Sequence, residues 1–95
     1  MAGYVALVHK DPGTSYGVSF PDVPGCVSAG DTLDEALANA AEALAGHLEL
    51  MRADGDVLPK PRPLARIASD QALADDLTDA SLHVVAPRPA KVSAK

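Results

Sequence analysis

The sequence predicts an α+β fold in which three antiparallel strands, one long helix and a fourth strand follow one another along the chain. Three observations predict it. Residues 4–29 hold short apolar segments broken by glycine and proline turns. Residues 32–51 carry a helix-capping signal followed by apolar residues at helical spacing. Residues 82–86 return to a short β-branched run.

The first strand is Tyr4-Val5-Ala6-Leu7-Val8-His9, and Asp11-Pro12-Gly13-Thr14-Ser15 supplies the turn of a hairpin. In Tyr16-Gly17-Val18-Ser19-Phe20 the large residues fall at every second position, so a second strand buries one face and leaves Gly17 and Ser19 on the other. Pro21-Asp22-Val23-Pro24-Gly25 must leave the sheet, because proline cannot donate ladder hydrogen bonds, and Cys26 to Ala29 returns as the third strand. Thr32 and Glu35 form a T-x-x-E capping box, in which hydroxyl and carboxylate satisfy each other's free backbone N–H groups. From there Leu33, Leu37, Ala40, Leu44, Leu48 and Met51 mark one helical face, expected to pack on one face of the sheet. Glu35, Glu42 and Glu49 line up nearly opposite, making the outer face acidic, and Asp54-Gly55 is the stop. The alternating prolines from Pro59 to Pro63, with Lys60 and Arg62 between, read as an extended connector. Leu64 to Leu77 is weakly helical with a break at Ser69-Asp70, where either side chain caps a second short turn. Leu82 to Ala86 is the fourth strand, and residues 87–95, with Arg88, Lys91 and Lys95 and no acid, are expected to be a flexible basic tail.

Composition limits what such a domain can be. Ninety-five residues make one small domain, and 47% hydrophobic with 22% charged residues is too apolar for intrinsic disorder. A chain this short hides only roughly 60–65% of its unfolded surface, so an oligomer, dimer or tetramer, would help stability. One cysteine, Cys26, excludes an internal disulfide, and with no signal peptide the cytoplasm is the expected location. No apolar run approaches the roughly 20 residues of a membrane helix, so no membrane partner is expected. The formal charge of -5 and only three aromatics make the chain a poor nucleic-acid binder, and no DNA binding is expected from it alone. The charge is uneven. Residues 1–58 carry Lys10 and Arg52 against nine acids, net -7, while residues 59–95 are net +2. An acidic half suits a basic protein partner, though it also serves solubility.

No motif for catalysis survives its context. Gly13-Thr14-Ser15-Tyr16-Gly17 fits G-x-S-x-G, but it lies in a hairpin turn leading into a strand, not on the strand-to-helix elbow that the chemistry requires. His9, His47 and His83 fall in different elements without metal-site spacing, so neither a metal nor a cofactor is expected. His47 reads as a half-buried packing residue and Cys26 as a small buried one. The Glu35, Glu42 and Glu49 line is either a solvated face or a partner-facing patch. Asp22 between prolines reads as an Asx-turn residue, and its loop, with Val23, as a rigid docking edge.

The run YGVSFPDVPGCVSAG, Tyr16 to Gly30, followed by Asp31-Thr32-Leu33-Asp34-Glu35-Ala36-Leu37, resembles the HicB family of bacterial antitoxins. The pieces that carry the resemblance are Tyr16-Gly17, the loop Phe20 to Cys26, the Gly30-Asp31-Thr32 lead-in and the Asp34-Glu35-Ala36 helix start, and it extends more weakly over residues 4–86. It implies a β-β-β-α-β domain like a partial ribonuclease H fold over residues 1–86. It also implies a non-enzymatic role, namely binding and neutralising a small basic HicA-like toxin that cuts messenger RNA, by covering its RNA site. Asp22, Val23, Glu35, Glu42 and Glu49 are the expected partner-binding residues. Family members commonly continue into a DNA-binding domain, and the basic tail from Pro87 lies where such a domain would be expected to begin. Two alternatives remain from the residues alone: an orphan oligomeric binding module of this fold, and a residual metal-dependent nuclease. The second is disfavoured because neither the first nor the fourth strand carries a carboxylate.

Overall fold

The structure, a computed structural model, describes residues 3–89. Strands β1 (Tyr4–His9), β2 (Tyr16–Ser19) and β3 (Val27–Gly30) precede the helix α1 (Leu33–Ala53). Two short helices, α2 (Leu64–Ala68) and α3 (Ala74–Leu77), with a 3₁₀ turn at Gln71–Leu73 between them, then lead to β4 (Ser81–Val85). All pairings are antiparallel and the sheet order is β3-β2-β1-β4. This is the expected α+β architecture, with β3 and β4 each displaced by about one residue from the sequence reading. The fourth strand returns beside β1, across the register Tyr4↔Val85 to Val8↔Ser81.

The hairpin closes where turn chemistry places it. Thr14 N–H donates to the Asp11 carbonyl at 3.1 Å and the Thr14 hydroxyl to the same oxygen at 2.8 Å. The serine of the G-x-S-x-G match therefore lies exposed in a hairpin turn that runs directly into the strand β2. At the start of α1, Thr32 Oγ1 accepts from Glu35 N–H at 3.0 Å, and Glu35 Oε1 accepts from Asp31 N–H at 2.8 Å. The carboxylate reaches one residue further back than the ideal box. Glu35 thus satisfies a backbone donor as well as facing water.

α1 packs on one face of the sheet through Ala36, Ala40, Ala41, Leu44 and Leu48, against Ala6, Val8, Val18, Phe20 and Cys26. Ala36 and Ala40 are fully buried, so the alanine-rich stretch is contact surface and not only helix propensity. At Gly30 a Cβ would stand 2.7 Å from Ala36 Cα and closer still to its nitrogen, so β3 meets α1 backbone to backbone and position 30 admits no side chain.

The other sheet face is not left open at β1. Val5 and Leu7 point into a second, smaller core with Ile67, bordered by Leu73, Leu77, Ala80 and Leu82. β1 is consequently buried on both sides, which explains its unbroken apolar run. The break expected at Ser69-Asp70 is there, and Asp70 Oδ1 caps the 3₁₀ turn by accepting from Ala72 N–H at 2.9 Å. The start of the expected flexible tail is held: Arg88 N–H donates to the Ala41 carbonyl at 3.0 Å, because Pro87 turns the chain off the sheet and onto α1. Residues 90–95 of that segment lie outside the described residues.

Candidate functional site

The outer face of α1 presents Glu35, Glu42 and Glu49 to solvent. At seven-residue intervals they are spaced about 10 Å apart along the axis and rotated by only about 20° from one to the next. None of them takes part in a salt bridge among the described residues, although Glu35 also accepts the Asp31 N–H. Beside its C-terminal end lies a groove of about 360 Å³ lined by Tyr4, Leu48, Leu58 and Pro87, with Glu49 and Arg52 among its walls. The connector contributes Pro61 to it, and the Tyr4 hydroxyl, donating to the Pro59 carbonyl, pins the connector there.

Asp22 and Val23 are placed differently. Val23 is 1% exposed and belongs to the main core. Asp22 is held by Arg62, whose backbone N–H reaches Oδ2 at 2.8 Å and whose Nε reaches Oδ1 at 2.7 Å. The Asp22 side chain keeps only 9% of its surface. In place of the expected Asx turn, its carboxylate is occupied by a partner forty residues away. Arg62 also donates through Nη1 to Asp70 Oδ2 at 2.8 Å, so one guanidinium joins the 20–26 loop to the cap of the 3₁₀ turn. Donating to the Asp70 and Asp22 carboxylates holds the Arg62 guanidinium more firmly protonated, and accepting from Arg62 and from Ala72 N–H holds the Asp70 carboxyl below its ordinary value. The connector reading of 59–63 is correct in shape but incomplete, because Arg62 is its anchor. An isolated Asp and an isolated Arg at this separation carry no local signal in the sequence.

Val23 and the Asp22 carboxylate therefore turn inward, and the loop shows solvent its exposed members, Pro24 and Gly25. Gly25 takes the left-handed conformation, φ 89°, and His47 of α1 lies against it, so the half-buried packing role expected of that histidine is the observed one. The sequence-predicted residues do not form one cluster: the glutamates line the helix, while Asp22 faces the 62–70 segment.

The other two histidines and the cysteine are also tied into the fold. His9 Nε2 is 2.7 Å from the Asp76 carbonyl, and His83 Nε2 is 3.0 Å from Ser81 Oγ. Cys26 is 3% exposed, and burial pushes its thiol above the ordinary value, which suppresses the thiolate. No group of three or more His, Cys, Asp or Glu side chains is arranged to hold a metal among the described residues. Nor is any described helix long and apolar enough to cross a membrane.

Comparison with known proteins gives this geometry a context. A family model described as HicB-like antitoxin of bacterial toxin–antitoxin systems matches residues 4–94. An uncharacterized 14.9 kDa protein of Haemophilus phage HP1 is 59% identical over 49 residues, covering 52% of this chain and 37% of that protein. Antitoxin HicB 1 of Photorhabdus laumondii is 41% identical over 51 residues, covering 54% of this chain and 33% of its own. The matches to these two relatives thus span about a third of their length. Among solved structures, a chain from a HicA3 and HicB3 toxin–antitoxin complex superposes with a TM-score of 0.74 at 31% identity, covering 94% of this chain and 100% of that one.

Proposed function

The chain belongs to the HicB-like antitoxin family, and from that premise we propose that it binds a small basic HicA-like toxin and blocks access to its RNA site. The observation that carries the reading is the likeness, over 94% of this chain, to a chain of a HicA3 and HicB3 complex. The electrostatics favour it. The residues that build β1 to α1 lie within a segment of net charge -7, and three of its acids stand in a row without a salt-bridge partner among the described residues. A basic ribonuclease surface would be steered towards such a row, and the carboxylates would stand where RNA phosphates otherwise bind.

In this reading the chain acts by occlusion and performs no chemistry of its own. The surface is the outer face of α1, with Pro24 and Gly25 as the exposed part of a separate loop. Asp22 contributes by fixing the shape of that loop, through Arg62. An acidic chain with this surface has no affinity of its own for operator DNA.

The test begins with a tagged pull-down from the native host, read by mass spectrometry for a stoichiometric small basic protein. That protein is then assayed for RNA cleavage with and without this chain. Cleavage abolished at equimolar chain supports the proposal; cleavage unaffected at saturating chain overturns it. Glu42→Lys with Glu49→Lys tests the helix face while leaving the cap at Glu35 intact. A fall in association rate of tenfold or more at low salt, shrinking as salt rises, is expected. Unchanged association rules this face out as the toxin contact.

A further inference from the structure

We propose that the groove beside the C-terminal end of α1 is the apolar anchor point of the toxin contact. It takes one or two large aliphatic or aromatic side chains that the basic partner carries next to a lysine or arginine. The inference rests on the antitoxin reading and deepens it, because a row of glutamates alone does not make a lasting complex.

Exposed ion pairs add little to affinity and act mainly on the rate of encounter, whereas stable interfaces close around large side chains buried in a pocket. The acidic row therefore needs such a pocket within reach. Leu50 is the one exposed large hydrophobic residue of α1, and it does not line the groove, standing about 100° round the helix from Glu49. The groove itself meets the row at Glu49, which belongs to both. Its apolar surface comes from Tyr4, Ala45, Leu48, Leu58, Pro61 and Pro87. Glu49 and Arg52 are the charged residues among its walls, about one turn apart on α1, and neither forms a salt bridge among the described residues. Glu49 is thus placed to meet a base beside the incoming apolar group, and Arg52 disfavours a second base.

The walls are fixed before a partner arrives. The Tyr4 hydroxyl donates to the Pro59 carbonyl, Arg88 N–H donates to the Ala41 carbonyl at 3.0 Å, and Arg62 fastens the connector to Asp22. Prolines at 59, 61 and 63 on one side and at 87 and 89 on the other restrict the backbone further. A groove held in this way is filled at little ordering cost. Its volume of about 360 Å³ limits the occupant. A single helical turn, about 10 Å wide and 5.4 Å long, already needs more than that, so side chains enter while the partner's backbone stays outside.

The probe is the small basic ribonuclease recovered in the pull-down, purified and measured against the full chain in a surface-binding assay that separates association from dissociation. Ala45→Phe fills the groove from its helical wall, at a half-buried position. Dissociation at least tenfold faster is expected, with the association rate and its salt dependence as in the parent chain. Glu42→Lys, outside the groove, should do the reverse, slowing association and leaving dissociation nearly unchanged. A parent-like dissociation rate in folded Ala45→Phe overturns the proposal, and since the parent chain still binds, the antitoxin reading stands. If Ala45→Phe does not fold, the unaltered chain decides. In its complex the methyl groups of Leu48 and Leu58 should show intermolecular nuclear Overhauser contacts to aliphatic or aromatic protons of the ribonuclease, and their absence overturns the proposal. An unaltered chain that binds no basic ribonuclease fails the antitoxin reading itself, and this proposal falls with it.

Discussion

On one face of the sheet a single 21-residue helix buries five side chains against a continuous apolar layer. On the other, the whole segment from Leu64 to Leu77 contributes one buried residue, Ile67, and Arg62 ties the edge of that segment to the 20–26 loop through two carboxylates. The first face is held by area removed from water, which is additive and local to one amphipathic element. The second is held by a small core plus directional polar contacts, which act only once distant residues have met. The difference predicts that the two faces fail differently.

The largest effect is expected on the helix face. Leu44 is fully buried at the centre of α1, and Leu44→Ala should cost about 2–5 kcal/mol in chemical denaturation, with the whole domain losing cooperativity together. Selective loosening of residues 64–77 in this variant would break the comparison. On the second face, Asp22→Ala removes both acceptors of Arg62 in the 20–26 loop and should cost about 1–3 kcal/mol. Faster hydrogen exchange should appear first at residues 20–26 and 62–73, while the backbone amides of α1 stay protected. Uniform exchange across the chain would show that the latch is part of the global core.

A smaller effect sharpens the helix side. Thr32→Ala deletes the acceptor for Glu35 N–H and should cost about 1 kcal/mol, read as a lower thermal midpoint with fraying confined to the first turn. The smallest effect is one of pH. Arg62 holds the Asp70 carboxyl below its ordinary value of 3.8, so the folded state binds this proton less readily than the unfolded chain. The stability this confers is present above pH 3.8 and lost as the pH falls through the lower folded value. Asp70→Asn should therefore lower stability slightly at neutral pH, the loss being small because the pair is partly exposed, and converge with the parent chain at low pH, so that part of the acid limb flattens. An unaltered acid limb would remove Asp70 from the latch.

Much of this was readable from the chain because the signals are local. The hairpin turn at Asp11–Thr14, the threonine cap at Thr32 and the period of Leu37, Ala40, Leu44 and Leu48 each need only a few neighbouring residues to specify them, and the structure repeats them nearly residue for residue. The outward row of Glu35, Glu42 and Glu49 follows from the same period. Features that were not readable depended on contacts forty or more residues apart. Asp22 looked like the cap of its own loop, and Val23 like a residue offered to a partner. Only the arrival of Arg62 from the proline connector shows that the first is occupied, and only closure of the core shows that the second is inside. The doubly buried β1 is a similar case, since its apolar run marks burial without saying that Ile67 supplies the second cover.

The sequence by itself determined the order and kind of the elements, the buried stripe of α1 and the acidic half of the molecule, because periodicity, capping and charge are properties of neighbours along the chain. The tertiary structure alone decided that Arg62 fastens the loop, that position 30 must lack a side chain where β3 meets the helix, and that Asn39 of α1 reaches over the β3 edge. Those depend on which surfaces meet in space, and burial and hydrogen-bond geometry are fixed only when they do.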